Sequence, residues 1–283
     1  MPPRTPKKTR RRFDIAAILL APFGVFVVLL SQYVDGGSGS ALVQGPAALI
    51  VLGGTLGAVL LSYSPSQIVA ACRAAIRVFE RRDDDSDALA ATLVAMSIRA
   101  HRRGVLSLEA ESDVIDDDFF RELLSLAVDG TAADVFRDLT AVQKAARDAD
   151  EDTPARVFEA AAGYAPTMGI LGAVLGLMRV MQNLGAPGTL GAGIAVAFVA
   201  TVYGVGVANL VLLPIAGRLR ESAARAARRR EIIAHGLDAI HRRLNPHLVA
   251  RKLKVFSSSM PRVEDIAKRM PRIAAATPMG LPS

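Results

Sequence analysis

The sequence predicts an all-α, polytopic membrane protein with four transmembrane helices and a cytoplasmic helical domain. Two observations carry that reading: four long apolar runs, and the placement of lysine and arginine around them. The chain of 283 residues is 51% apolar. Its mean hydropathy is +0.32 and its pI is near 10.0, but these averages conceal a segregated pattern. Runs free of acidic residues cover 15–34, 46–63, 164–184 and 190–213. Each holds about 18–24 residues, enough at about 1.5 Å rise per residue to cross a hydrocarbon core of about 30 Å.

The segments follow in order. Residues 1–12 are a basic cytoplasmic N-terminus with six lysines and arginines and no acid. Residues 13–63 hold transmembrane helices one and two. The first apolar run is longer than the about 7–15 residues of a signal-peptide core and lacks an A-x-A site, which favours an uncleaved anchor. Residues 64–162 form the cytoplasmic helical domain, with twelve basic and twenty acidic side chains. Transmembrane helices three and four lie in 163–216, and 217–283 is a basic cytoplasmic C-terminal tail with fifteen basic and five acidic residues. The connections 35–44 and 185–189 hold no lysine or arginine. The positive-inside rule therefore places both termini and the long middle segment in the cytoplasm, and two short loops outside.

Finer expectations attach to this layout. Leu89, Leu93 and Met96 recur at helical spacing. Gly104 and Gly130 punctuate the middle domain, and Pro154, after the acidic run 150–152, marks a helix start. The fourth membrane helix continues past Pro214 into 218–244. Beyond 245–246 the chain is expected to be loosely ordered, its basic residues touching anionic lipid; no nucleic-acid partner is read from them. Tyr33 and Tyr63 suit interfacial belts.

Enzyme chemistry finds no support. Cys72 is the single cysteine, which excludes an internal disulfide, and no metal-ligand cluster or catalytic constellation stands out. No cofactor is implied. Intramembrane charges, the usual mark of function, are nearly missing. Asp14 and Asp35 sit at the ends of the first run, and Arg179 can snorkel from the outer end of the third. No aspartate, glutamate or histidine falls at midmembrane depth, so this chain alone has no carboxylate with which to relay a proton. Small residues are plentiful: GGTLGA at 53–58, then Gly169, Gly172, Ala173 and Gly176, then Gly193, Ala197, Ala200, Thr201, Gly204 and Ala208. Their spacings put them on faces where a helix can approach closely. Packing within the chain explains any one of them, while two whole faces point to a further helix as guest. Thr201 stands as a lone midspan hydroxyl. Pro166 and Pro214, near the cytoplasmic ends of the last two spans, free backbone carbonyls and permit a kink.

These residues resemble a known family. RVFEAAAGYAPTMGILGAVLGLM at 156–178, GGTLGA in the second span, HRRGVLSLEAE at 101–111 and ATVYGVGVANLVLLPIAGRL at 200–219 are similar to the MotA/PomA family of flagellar stator subunits. The resemblance runs from the first span to about residue 244. It implies a multi-pass subunit of the bacterial inner membrane that forms a homo-pentamer around the single helices of two MotB-type partners. The partner supplies a membrane aspartate, and ion flow past it turns the pentamer against the rotor protein FliG. Pro166 and Pro214 fall on the family's two functional prolines, and Thr201 on its fourth-span hydroxyl. Glu109 falls on the acidic rotor-contact position. The family's basic position eight residues earlier is His101 here, with Arg102 and Arg103 as substitutes beside it. Without the resemblance, the arginines would be read as a helix C-terminus and Glu109 as a first-turn acid. Sodium-driven members carry threonine where this chain has Ala173. Alanine offers no oxygen to a hard cation, so the expected coupling ion is H+ rather than Na+. The ExbB/TolQ branch of proton channels is the alternative; its three spans and outside N-terminus fit the basic start and the second span less well. A multi-span scaffold without an ion path leaves the block around Pro166 unexplained.

Overall fold

A computed structural model describes residues 12–13, 23, 26–27, 30, 34, 43–78, 80–81, 86–112, 115, 117–183, 185, 187–257 and 263–269. The first predicted span therefore lies almost wholly outside the described residues, as does Tyr33. The described chain is helical and divides into two compact units. One is Arg82–Ala149 with the described part of Ala223–Ser283; the other is the described part of Arg11–Arg81 with Asp150–Ser222.

In the second of these units, α1 spans Gly45–Ser62, with Pro46 in its first turn, where the missing N–H costs nothing. A π turn at Leu49–Gly53 interrupts it. Helix α2, Pro65–Arg77, is started by a capping box: the Ser64 side chain accepts from the Gln67 N–H while the Gln67 side chain accepts from the Ser64 N–H. A two-residue antiparallel pair joins β1, Arg12–Phe13, to β2, Glu80–Arg81.

The other unit opens with α3, Ser86–Arg103, which ends at Gly104 in the left-handed region (φ 84°). A 3-10 turn, Val105–Leu108, leads into α4, Glu109–Ser112. Helix α5, Asp118–Val128, is capped by Asp117, whose side chain accepts from the Phe120 N–H at 3.1 Å. Then comes α6, Ala133–Gln182, fifty residues long. Pro154 lies inside it, not at a start. Packing on either side keeps the helix continuous: Asp148 accepts from the buried Arg230 at 2.7 Å, and Ala155 and Val157 are buried just beyond. Helix α7, Pro187–Val207, passes through a π turn at Ala208–Leu212 into α8, Leu213–His241. The apolar fourth run thus continues into basic helix past Pro214, as predicted.

The C-terminal region corrects the sequence expectation. Helices α9, Pro246–Leu253, and α10, Val263–Arg269, belong to the core of their unit. Val249 and Leu253 are fully buried, and Ile266 nearly so, among Leu93, Leu123, Phe136, Ile233 and Leu237. The i, i+4 pair Val249/Leu253 supplies an apolar face that the surrounding basic residues obscure. Phe136 stacks on His241 with ring centroids 4.8 Å apart. Gly236 lets α8 approach α3: a Cβ there would stand 2.7 Å from Leu93 Cδ1.

Among the described residues, three helices are long and apolar enough to cross a membrane: Gly45–Ser62, Ala133–Gln182 and Leu190–His241. The last two carry their apolar stretch in one part and charged helix in the other.

Candidate functional site

The small residues of α6 and α7 meet each other. A Cβ on Gly169 would stand 2.9 Å from the Ala200 carbonyl oxygen, and one on Gly176 2.9 Å from the Ala197 amide nitrogen. A Cβ on Gly204 would lie 2.6 Å from the Ala165 carbonyl oxygen and 3.1 Å from Pro166 Cα. Such distances exclude any side chain, so two backbones are in direct contact. The glycine faces therefore close the α6–α7 pair itself, and the reading of both as the lining for a guest helix is corrected. Close packing uses up the smallest residues.

The predicted residues lie at and beside that contact. Pro166 is half-buried beside Gly204, and Ala173, seven residues on, is also half-buried. Thr201 is exposed, and its hydroxyl donates to the Ala197 carbonyl at 3.3 Å, one turn back. Pro214 is exposed just after the π turn. A proline cannot donate to the carbonyl four residues before it, so Pro166 and Pro214 leave Ala162 and Leu210 without that helical partner. No acid or histidine lies in these apolar stretches.

The structure adds polar groups that sequence reasoning passed over. Asn209, exposed inside the π turn, donates its amide to the Val205 carbonyl at 2.9 Å; spacings of four place Thr201, Val205 and Asn209 on one line. Thr167 is exposed and bonds the Tyr164 carbonyl at 2.7 Å. Thr55, in GGTLGA, is buried with no hydrogen-bond partner for its hydroxyl among the described residues. Thr201 is thus not the lone hydroxyl of the spans.

The other predicted cluster flanks Gly104. His101, Arg102 and Arg103 form the last turn of α3, and Glu109 the first of α4; all four are exposed. Among the described residues none of the four makes a hydrogen bond or ion pair that would neutralise it. Basic residues in a last turn and an acid in a first turn satisfy the helix dipoles, which also explains their local stability. Arg99, one turn earlier, has its pKa pushed down by burial and by Arg103. A cleft of about 300 Å³ runs from His101 and Arg102 to Asn245, His247 and Glu264.

Similarity to known proteins decides the family. The profile of the MotA/TolQ/ExbB proton channel family matches residues 111–232. The chemotaxis protein PomA of Vibrio alginolyticus is 32% identical over 250 residues, covering 88% of this chain and 98% of that one. The chain belongs to the MotA/PomA family. Motility protein A of Bacillus subtilis is 30% identical over 254 residues, covering 89% and 92%. The solved flagellar MotAB stator complex of Bacillus subtilis superposes with a TM-score of 0.74 at 26% identity, over 91% of this chain and 98% of that one. The C. jejuni MotAB structure shares the fold at a TM-score of 0.78, over 88% and 98%. A MotA/PomA member is a flagellar stator subunit, not an enzyme.

Proposed function

We propose that this chain is the ion-coupled, torque-generating membrane subunit of a flagellar stator: a pentamer around a MotB-type dimer. It has four spans, both termini in the cytoplasm, and sits in the bacterial inner membrane. The observation that carries this reading is the α6–α7 pair. Its apolar part closes on its own glycines, has Pro166 and Thr201 at and beside that contact, and holds no carboxylate, so a titratable group must come from a partner helix. Loading and unloading that carboxylate would bias helices whose ladders Pro166 and Pro214 interrupt. The exposed side chains of His101, Arg102, Arg103 and Glu109 would then bear on FliG.

Proton coupling is part of the proposal. Ala173 has no side-chain oxygen, and Thr201, whose hydroxyl donates to the Ala197 carbonyl, has a single hydroxyl oxygen left to offer a cation. A sodium cage needs about six oxygens or more by analogy with other hard cations, whereas a proton needs only the partner's carboxylate and a wetted route. Native mass spectrometry of the chain purified with its partner tests the assembly. Five copies with two partner chains is the expected result, and detergent-resistant monomers that bind no partner would refute it.

A further inference from the structure

Helix α2 starts three residues after the end of α1 at Ser62. Ala71 and Ala75, with half-buried Ile68, form its inward face; Ala71 and Ile68 belong to one apolar cluster with Val59, Val157 and Ala161. A second face is apolar and uncovered. Val69 is 47% exposed, Cys72 is exposed and Ile76 is 75% exposed; spacings of three and four make them one stripe. Arg73 and Arg77 are exposed along one edge of that stripe, and no acid occurs anywhere in 64–79.

The neighbours of α2 mark a membrane boundary. Tyr164 and Ser62 share a hydrogen bond of 2.9 Å between their hydroxyls. The Tyr63 hydroxyl donates to the Arg156 carbonyl at 3.1 Å. Both tyrosines stand where an apolar stretch ends, the place where such rings sit at a lipid–water interface.

We propose that α2 is an interfacial helix that sinks Val69, Cys72 and Ile76 into the acyl boundary and binds anionic lipid headgroups through Arg73 and Arg77. An apolar stripe beside arginines, next to a span, is the pattern of a helix lying in the membrane surface. Arginine stems cover apolar surface while their heads reach the phosphates, and each basic group near an anionic leaflet adds attraction. A second copy fits the stripe less well, because it would bring like-charged arginines together with no acid between them. The inference rests on the membrane-spanning reading of α1 and α6 and goes beyond the stator reading.

Cys72 is the chain's one cysteine, so a thiol-linked fluorophore reports from the stripe in the full chain. The labelled protein, reconstituted with its partner chain, is placed in phosphatidylcholine vesicles. These carry a small fraction of acyl-brominated phosphatidylglycerol or, at the same fraction, acyl-brominated phosphatidylcholine. The expected result is quenching by both, with the anionic lipid about fivefold more effective. Arg73→Gln with Arg77→Gln should bring the two lipids level. No quenching by either overturns the proposal, as does equal quenching in the unaltered chain, or energy transfer between copies without lipid quenching. Release by alkaline carbonate would overturn the spanning reading as well. Retention without quenching would overturn the role of α2 alone.

Discussion

At the scale of single residues, charge and burial separate two kinds of titratable group. His101, Arg102, Arg103 and Glu109 are exposed and carry no local partner among the described residues, so the charges of Arg102, Arg103 and Glu109 are available to another protein. Charges at a rim chiefly steer and register partners. Reversing Glu109 to Lys together with Arg102→Glu and Arg103→Glu should abolish swimming while leaving membrane insertion and partner binding intact; normal swimming by that variant removes the cluster from the mechanism. His235 behaves differently. Burial and then Lys252 push its pKa down against Glu231 and Asp238, which push it up; it also stacks on Phe256 at 5.7 Å. A histidine depressed in the folded state binds its proton more readily unfolded, so its contribution is present above about pH 6.5 and is lost as pH falls below that and through the lower folded-state value. Thermal unfolding of the purified protein between pH 7.5 and 5.5 should show stability falling, with a shallower slope in His235→Gln. Equal slopes would clear His235. Thr201 was legible in the sequence as a hydroxyl in an apolar run. Asn209 and Thr55 do not stand out in the sequence, because only the structure shows that one is exposed and the other is buried without a partner among the described residues.

At the scale of elements, three of the four apolar runs and the Gly104 break were read well, and the helix start at Pro154 was not. The long apolar stretches, the Gly104 stop and the continuation of α8 past Pro214 all follow from local pattern. Pro154 misled because a proline after acids usually begins a helix, whereas here Asp148–Arg230 on one side and Ala155 on the other hold α6 together. Helices α9 and α10 were hidden because scattered basic residues mask the spacing of Val249 and Leu253. The glycine faces were visible, but their partner was not: a small face reads the same whether it meets its own chain or another. The contact can be tested at one residue. Gly204→Val would force a side chain into the Ala165 carbonyl and should cost about 1–3 kcal/mol or more, read as a lower melting temperature in detergent. A Cβ on Gly206, two residues on, meets nothing within 4 Å, so Gly206→Val should leave melting nearly unchanged. Equal losses would mean that the α6–α7 approach is not as close as described.

At the scale of the whole molecule, segregation of charge predicts the topology, and contacts across long sequence separations build the units. The core joining Leu93 and Phe119 to Ile233 and Val249 unites residues more than a hundred apart, which no local periodicity encodes. Single cysteines placed in 36–44 or 185–189, in a Cys72→Ser background, should react from outside the cell. Those in 83–153 or 245–283 should react only after permeabilisation, and external labelling of 83–153 would overturn the four-span layout. The central claim is that this chain, lacking a midmembrane carboxylate of its own, turns ion flow past a partner's carboxylate into rotation. Bead rotation in cells stripped of their own stators tests it most directly. Expressing the chain with its partner should restore rotation in equal speed steps. Replacing the partner's membrane aspartate by asparagine should abolish it, and removing external sodium at fixed proton motive force should leave it unchanged. Motors that stay still with both chains inserted would contradict the account, and rotation that stops without sodium would contradict its proton step.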